Sequence, residues 1–183
     1  TIKVLSKNPV GREILNELRA RGGVLRLPTF FISTQKDSHA EHENLFAGVY
    51  LNVENVLEHG WTVEEFLKNP DMQRQLIRDM HTTVLHELVH EVQGRRPPWT
   101  KGYFTNTIEC EQEAFFRQML YQVAHLETSP GALNNGHDQW LAIDAADNLD
   151  DFLKFVASMY PDNVVVGEPY FGKFLAEQRA RWP

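Results

Sequence analysis

The chain has 183 residues, 42% of them hydrophobic and 11% aromatic, enough for one globular domain with its own core over residues 1–183. Its formal charge of −7 argues against nucleic acid as a main partner, since phosphate binding wants a basic face. A single cysteine, Cys110, excludes an intrachain disulfide and a cysteine-rich zinc module.

No apolar run approaches the roughly 20 residues that span a bilayer. The start at Thr1 rather than Met suits a processed or secreted form, and the compartment stays open. Oligomeric state is likewise open.

In chain order, Asn8-Pro9 reads as an N-cap followed by proline at the first helical position. Ile14, Leu15 and Leu18 give a helical stripe, ended by Gly22-Gly23. Residues 24–33 and 47–53 read as strands, separated by a polar loop over 34–44. Thr62 with Glu64 and Glu65 starts a short helix, which Asn69-Pro70 closes.

From Asp71 to Gln93, Met72, Leu76, Met80, Val84, Leu85, Leu88 and Val92 recur at helical spacing. Gly94 suits the residue after the helix, and Pro97-Pro98 prevents its continuation. Further helices are expected over 107–126, 138–146, 149–160 and 170–181.

The last two turns of the long helix carry His86-Glu87-Leu88-Val89-His90. Residues i and i+4 stand about 6 Å apart along one face of a helix, so both imidazoles can converge on one Zn²⁺. Glu87 is turned about 100° from His86, where it can address a water as general base without ligating the metal. A catalytic zinc needs a third protein ligand and an open fourth position. Position 96 is Arg, which excludes an HExxHxxGxxH site. The next acidic segment is Glu109-Cys110-Glu111-Gln112-Glu113-Ala114, on the following helix.

With those residues the chain resembles the gluzincin-type zinc metallopeptidases, which pair HExxH with a downstream glutamate helix often written ExEA. The resemblance covers about residues 71–120. It implies Glu111 as third ligand beside His86 and His90, with Glu109 and Glu113 as alternatives in a shifted register. Phe115 departs from the pattern, because the family usually places there a polar residue that supports a histidine ligand.

The resemblance also implies an α+β, zincin-like fold, a small mixed sheet packed on the HExxH helix with a mainly helical C-terminal half. It implies zinc-dependent endopeptidase activity on a peptide or protein substrate, with Glu87 as base. A His or Tyr from the C-terminal half would face the oxyanion. His125 is put forward, with His137, Tyr103, Tyr121, Tyr160 and Tyr170 open. Two other functions are weighed against this one: a non-catalytic, zinc-stabilised binding or regulatory protein, and an effector-like protease with one protein target. The His39-Ala40-Glu41-His42-Glu43 run reads as a solvated loop, and Cys110 as a small packed side chain.

Overall fold

The computed structural model describes residues 2–20, 29–33, 40–43, 48–52, 62–94, 107–128, 149–165, 167 and 169–181. Its helices are α1 (Ile2–Leu5), α2 (Pro9–Ala20), α3 (Val63–Lys68), α4 (Pro70–Gly94), α5 (Ile108–Thr128), α6 (Leu149–Met159) and α7 (Pro169–Arg181). Three short strands lie between α2 and α3: β1 (Thr29–Ser33), β2 (Ala40–Glu43) and β3 (Gly48–Asn52). Their order is β1-β3-β2. Thr29 faces Gly48 in a parallel ladder, and Ala40 faces Leu51 in an antiparallel one.

The caps explain where the helices begin. Asn8 Oδ1 accepts from Val10 N at 2.9 Å, while its Nδ2 donates to Tyr121 O at 2.9 Å. One buried side chain thus starts α2 and ties it to α5. Thr62 and Glu65 satisfy each other's backbone in a reciprocal capping box. Asn69 accepts from Asp71 N at 3.0 Å, with Pro70 at the first position of α4. Asn69 thereby serves as the C-cap of α3 and the opening of α4 at once.

Leu5, Ile14, Leu15 and Leu18 of α1 and α2 pack on Val84, Leu85, Leu88, Val89 and Val92 of α4 and on Ala114 and Tyr121 of α5. Gly11 permits this join, because a Cβ there would stand 2.2 Å from Leu5 O. A second cluster joins Phe116 and Met119 of α5 to Phe152 and Val156 of α6, with Phe174 of α7 against it. Burying each large apolar side chain contributes about 1.5–3 kcal/mol. These clusters therefore hold α4 and α5 in a fixed antiparallel pair.

This corrects the expected fold class. The α+β, zincin-like arrangement called for a mixed sheet packed on the HExxH helix, but the described core is helical. The buried hydrophobic side chains that are described belong to helices. The strands are short segments of four or five residues each. The physical reason lies in period: the long apolar stripes repeat every 3.6 residues, so helices bury one another. β2 lies inside the segment read as a polar loop, while β1 falls within the expected 24–33 strand, whose residues 24–28 lie outside the described residues. Residues 138–146, expected as helix, lie outside the described residues, as do His39, Tyr103 and His137. No helix among the described residues is long and apolar enough to cross a membrane.

Candidate metal centre

The site forms where the end of α4 crosses the start of α5. His86 and His90 are one turn apart on α4, and their Nε2 atoms lie 3.1 Å from each other. Glu111, in the first turn of α5, brings Oε2 to 3.3 Å from His86 Nε2 and 3.6 Å from His90 Nε2. A tetrahedral ion with bonds of about 2.0–2.1 Å sets its ligand atoms about 3.3–3.4 Å apart. The three donors match the edges of such a polyhedron, so this residue set fits zinc. Among the described residues they form the group of His, Cys, Asp or Glu side chains able to hold a metal ion.

The opposite ring nitrogens are also held. His86 Nδ1 lies 3.1 Å from Gln118 Oε1, and His90 Nδ1 lies 2.9 Å from Gln93 Oε1. With an amide oxygen facing it, each Nδ1 is the donor, which leaves each Nε2 as the atom turned towards a cation or, without one, a proton. Sequence reasoning missed both glutamines. Gln93 is three residues after His90, on the same helical face, which is a usable local signal. Gln118 is on the other helix, and its role follows only from the packing. Phe115 does not replace these amides. Its ring instead packs edge-on against His86, with centroids 4.5 Å apart.

Electrostatics follow from burial and charge. Burial opposes protonation of His90, but the charge and hydrogen bond of Glu111, helped by Glu87 and Gln93, raise its pKa to about 9. Burial likewise pushes the Glu111 carboxyl up, yet His90 and His86 outweigh it and hold Glu111 far below the usual carboxylate range. The anionic Glu111 and the two imidazoles are therefore predisposed to a positive charge among them. Glu87 is buried, at 6% exposure, and its charge is felt at both His90 and Tyr160.

Glu111 is positioned by its own helix start. Thr107 caps α5 through Cys110 N, at 3.3 Å from Thr107 Oγ1. Ile108 N donates to Val164 O at 3.1 Å, and Gly167 N donates to Glu109 Oε1 at 2.7 Å. Gly167 has φ +70, a conformation that suits glycine. These bonds bolt the segment after α6 onto the first turn of α5. They also assign the alternative glutamates. Glu109 holds Gly167, and Glu113 faces Gln93 and Arg117.

The same segment carries Tyr160, whose hydroxyl lies within the field of Glu111 and Glu87. Burial, then the negative charges of Glu111 and Glu87, push its pKa well above the ordinary phenol value. Tyr160 therefore remains a proton donor at neutral pH. Its ring lies 6.1 Å from that of Phe115. His125 is not brought to the cluster. It sits fourteen positions beyond Glu111 on α5, about 21 Å along the axis, with its ring 5.0 Å from His81. Tyr121 packs in that same region, 6.0 Å from His125, and Tyr170 is exposed on α7. Among the described candidates for the oxyanion donor, Tyr160 is the one reached by the charges of Glu111 and Glu87.

Comparison with family models, curated proteins and solved structures finds no match, so the chemistry of the site rests on this geometry alone.

Proposed function

We propose that this chain is a zinc-dependent peptidase acting on peptide or protein substrates, with His86, His90 and Glu111 as the metal-holding residues. The observation that supports the reading is the trio of donor atoms 3.1–3.6 Å apart, with Glu87 buried one residue after the first histidine. Zinc bound there would supply a Lewis acid that polarises a carbonyl and lowers the pKa of water to about 7.

The protein groups do the rest. Glu87 accepts a proton from the attacking water and delivers it to the leaving amine nitrogen. Tyr160, kept protonated, donates a hydrogen bond to the carbonyl oxygen as negative charge grows on it. Phe115, packed edge-on against His86, limits water on that side of the ligand atoms, which strengthens these interactions. A purely structural zinc takes four protein ligands, whereas the cluster among the described residues has three. That favours the hydrolase over the zinc-stabilised binding protein.

The test is a chelator-reversible peptidase assay on the wild type and Glu87→Gln. The variant is expected to keep bound zinc and lose activity by about 10²-fold or more, the lower range for a positioned proton carrier. Equal turnover by both proteins would remove Glu87 from the reaction.

A further inference from the structure

We infer that Glu113 and Arg117 are positioning residues for His90, acting through Gln93, and that they join the metal centre to α2 and α7. The inference deepens the zinc reading above and rests on it for its meaning, though not for all of its test.

The logic runs outward from the imidazole. Gln93 can serve His90 only if its amide oxygen, not its NH2, faces Nδ1. An isolated glutamine has no such preference, because its amide can flip. Here both N–H bonds of Gln93 are spent elsewhere. Nε2 donates to Cys110 O at 2.9 Å and to Glu113 Oε2 at 3.2 Å. Both partners can only accept, so the amide is locked with Oε1 towards His90, at 2.9 Å. The lock fixes the proton on Nδ1 and presents Nε2 to the cation.

Glu113 is 1% exposed, and a carboxylate so deeply buried needs a counter-charge. Arg117, one turn on, places Nη2 3.0 Å from Glu113 Oε1. Its Nη1 pairs with Glu17 of α2, and its guanidinium lies 5.2 Å from the Phe174 ring centroid of α7. Arg117 is therefore clamped from three helices, and Glu113 inherits that rigidity. Sequence alone offers Glu113 as a possible ligand. The tertiary structure gives it the task of orienting the group behind a ligand.

Substitutions separate this role from simple packing. In Glu113→Gln, one amide must face donors on both sides, Gln93 Nε2 and Arg117 Nη2, and has one oxygen to offer. In Arg117→Met the carboxylate loses its clamp. Partners behind metal ligands govern affinity by about tenfold to a hundredfold.

The measurement is zinc affinity of the full chain by competition with a chromophoric chelator. In parallel, proton exchange at His90 Nδ1–H is followed by NMR in the metal-free protein. Glu113→Gln and Arg117→Met are expected to weaken zinc about tenfold to a hundredfold. Arg117→Lys, which keeps a cation beside Glu113, should recover most of that loss. Leu18→Ala, in the core away from the relay, should hold zinc within about twofold of wild type despite a lower Tm. In Glu113→Gln the Nδ1–H should exchange at least about tenfold faster, a loosening comparable to the affinity loss. Wild-type zinc affinity in both relay variants, or an equal loss in Leu18→Ala, would overturn the inference. A wild-type chain that binds no zinc would sink the peptidase reading instead. The NMR arm would then decide the relay, and unchanged exchange in Glu113→Gln would refute it.

Discussion

The ring of Tyr160, the residue after α6, lies 6.1 Å from that of Phe115 on α5, and burial with the charges of Glu111 and Glu87 keeps its hydroxyl protonated. Under the peptidase reading, a phenol so held near Glu111 serves as a donor to a developing oxyanion. Tyr160→Phe removes the hydroxyl and keeps the ring against Phe115. Loss of one such donor costs about 10²–10³-fold in kcat, so the variant should lose activity on that scale with zinc content unchanged. Steady-state kinetics and metal analysis on the same sample check this. Wild-type kcat would assign the donor elsewhere.

Glu111 and Glu109 lie two residues apart on one helix, yet their partners differ. Glu111 faces the two imidazoles, and Glu109 accepts from Gly167 N. Glu111→Ala should therefore weaken zinc by several orders of magnitude, a loss larger than the hundredfold typical of supporting residues. Glu109→Gln retains an acceptor for Gly167 and should bind zinc as wild type does. The reverse ranking in a zinc titration would mean that the ligand register is shifted by two residues.

His81 and His125 face each other with ring centroids 5.0 Å apart, and His81 is 5% exposed. Burial first, then the charge of His125, lower the pKa of His81 to about 4. The unfolded chain, with an ordinary value near 6.5, binds the proton more readily in that window. Stability from this group is therefore complete above about pH 6.5 and lost as pH falls towards 4. The full effect is on the order of 3 kcal/mol. Denaturant unfolding at pH 7.5, 6 and 4.5 should follow this slope, and His81→Leu should flatten it. An identical slope in the variant would locate the acid sensitivity in other groups.

Gln122 is completely buried on α5, and neither its Oε1 nor its Nε2 has a hydrogen-bond partner among the described residues. Burying an unsatisfied polar group costs about 1–3 kcal/mol. Gln122→Met has nearly the same shape without the polar atoms. It should raise stability by about 1 kcal/mol, seen as a Tm increase of roughly 2–4 °C for a chain of this size. A fall in Tm would show that the amide is satisfied after all.

Much of the scaffold was legible in the residues. The HExxH helix was expected over 71–93 and runs Pro70–Gly94, because its apolar stripe, proline start and glycine end are local signals. The Thr62 and Asn8 caps were legible for the same reason. Less of the fold class could be read. The 24–33 and 47–53 segments carry strand-like side chains, but propensity does not say which elements will own the core. The buried apolar side chains that are described lie on helices.

By itself the sequence determined the relation between His86, Glu87 and His90, since helical pitch alone puts two imidazoles on one face and the carboxylate beside them. The resemblance put Glu111 first, with Glu109 and Glu113 as alternatives. Only the tertiary structure brings the Glu111 carboxylate to both imidazoles, turns Glu109 to Gly167 and Glu113 to Gln93, and leaves His125 away from the cluster. Those choices depend on how α4, α5 and the segment after α6 cross. A crossing is fixed by contacts between residues distant in the chain, which no local period encodes.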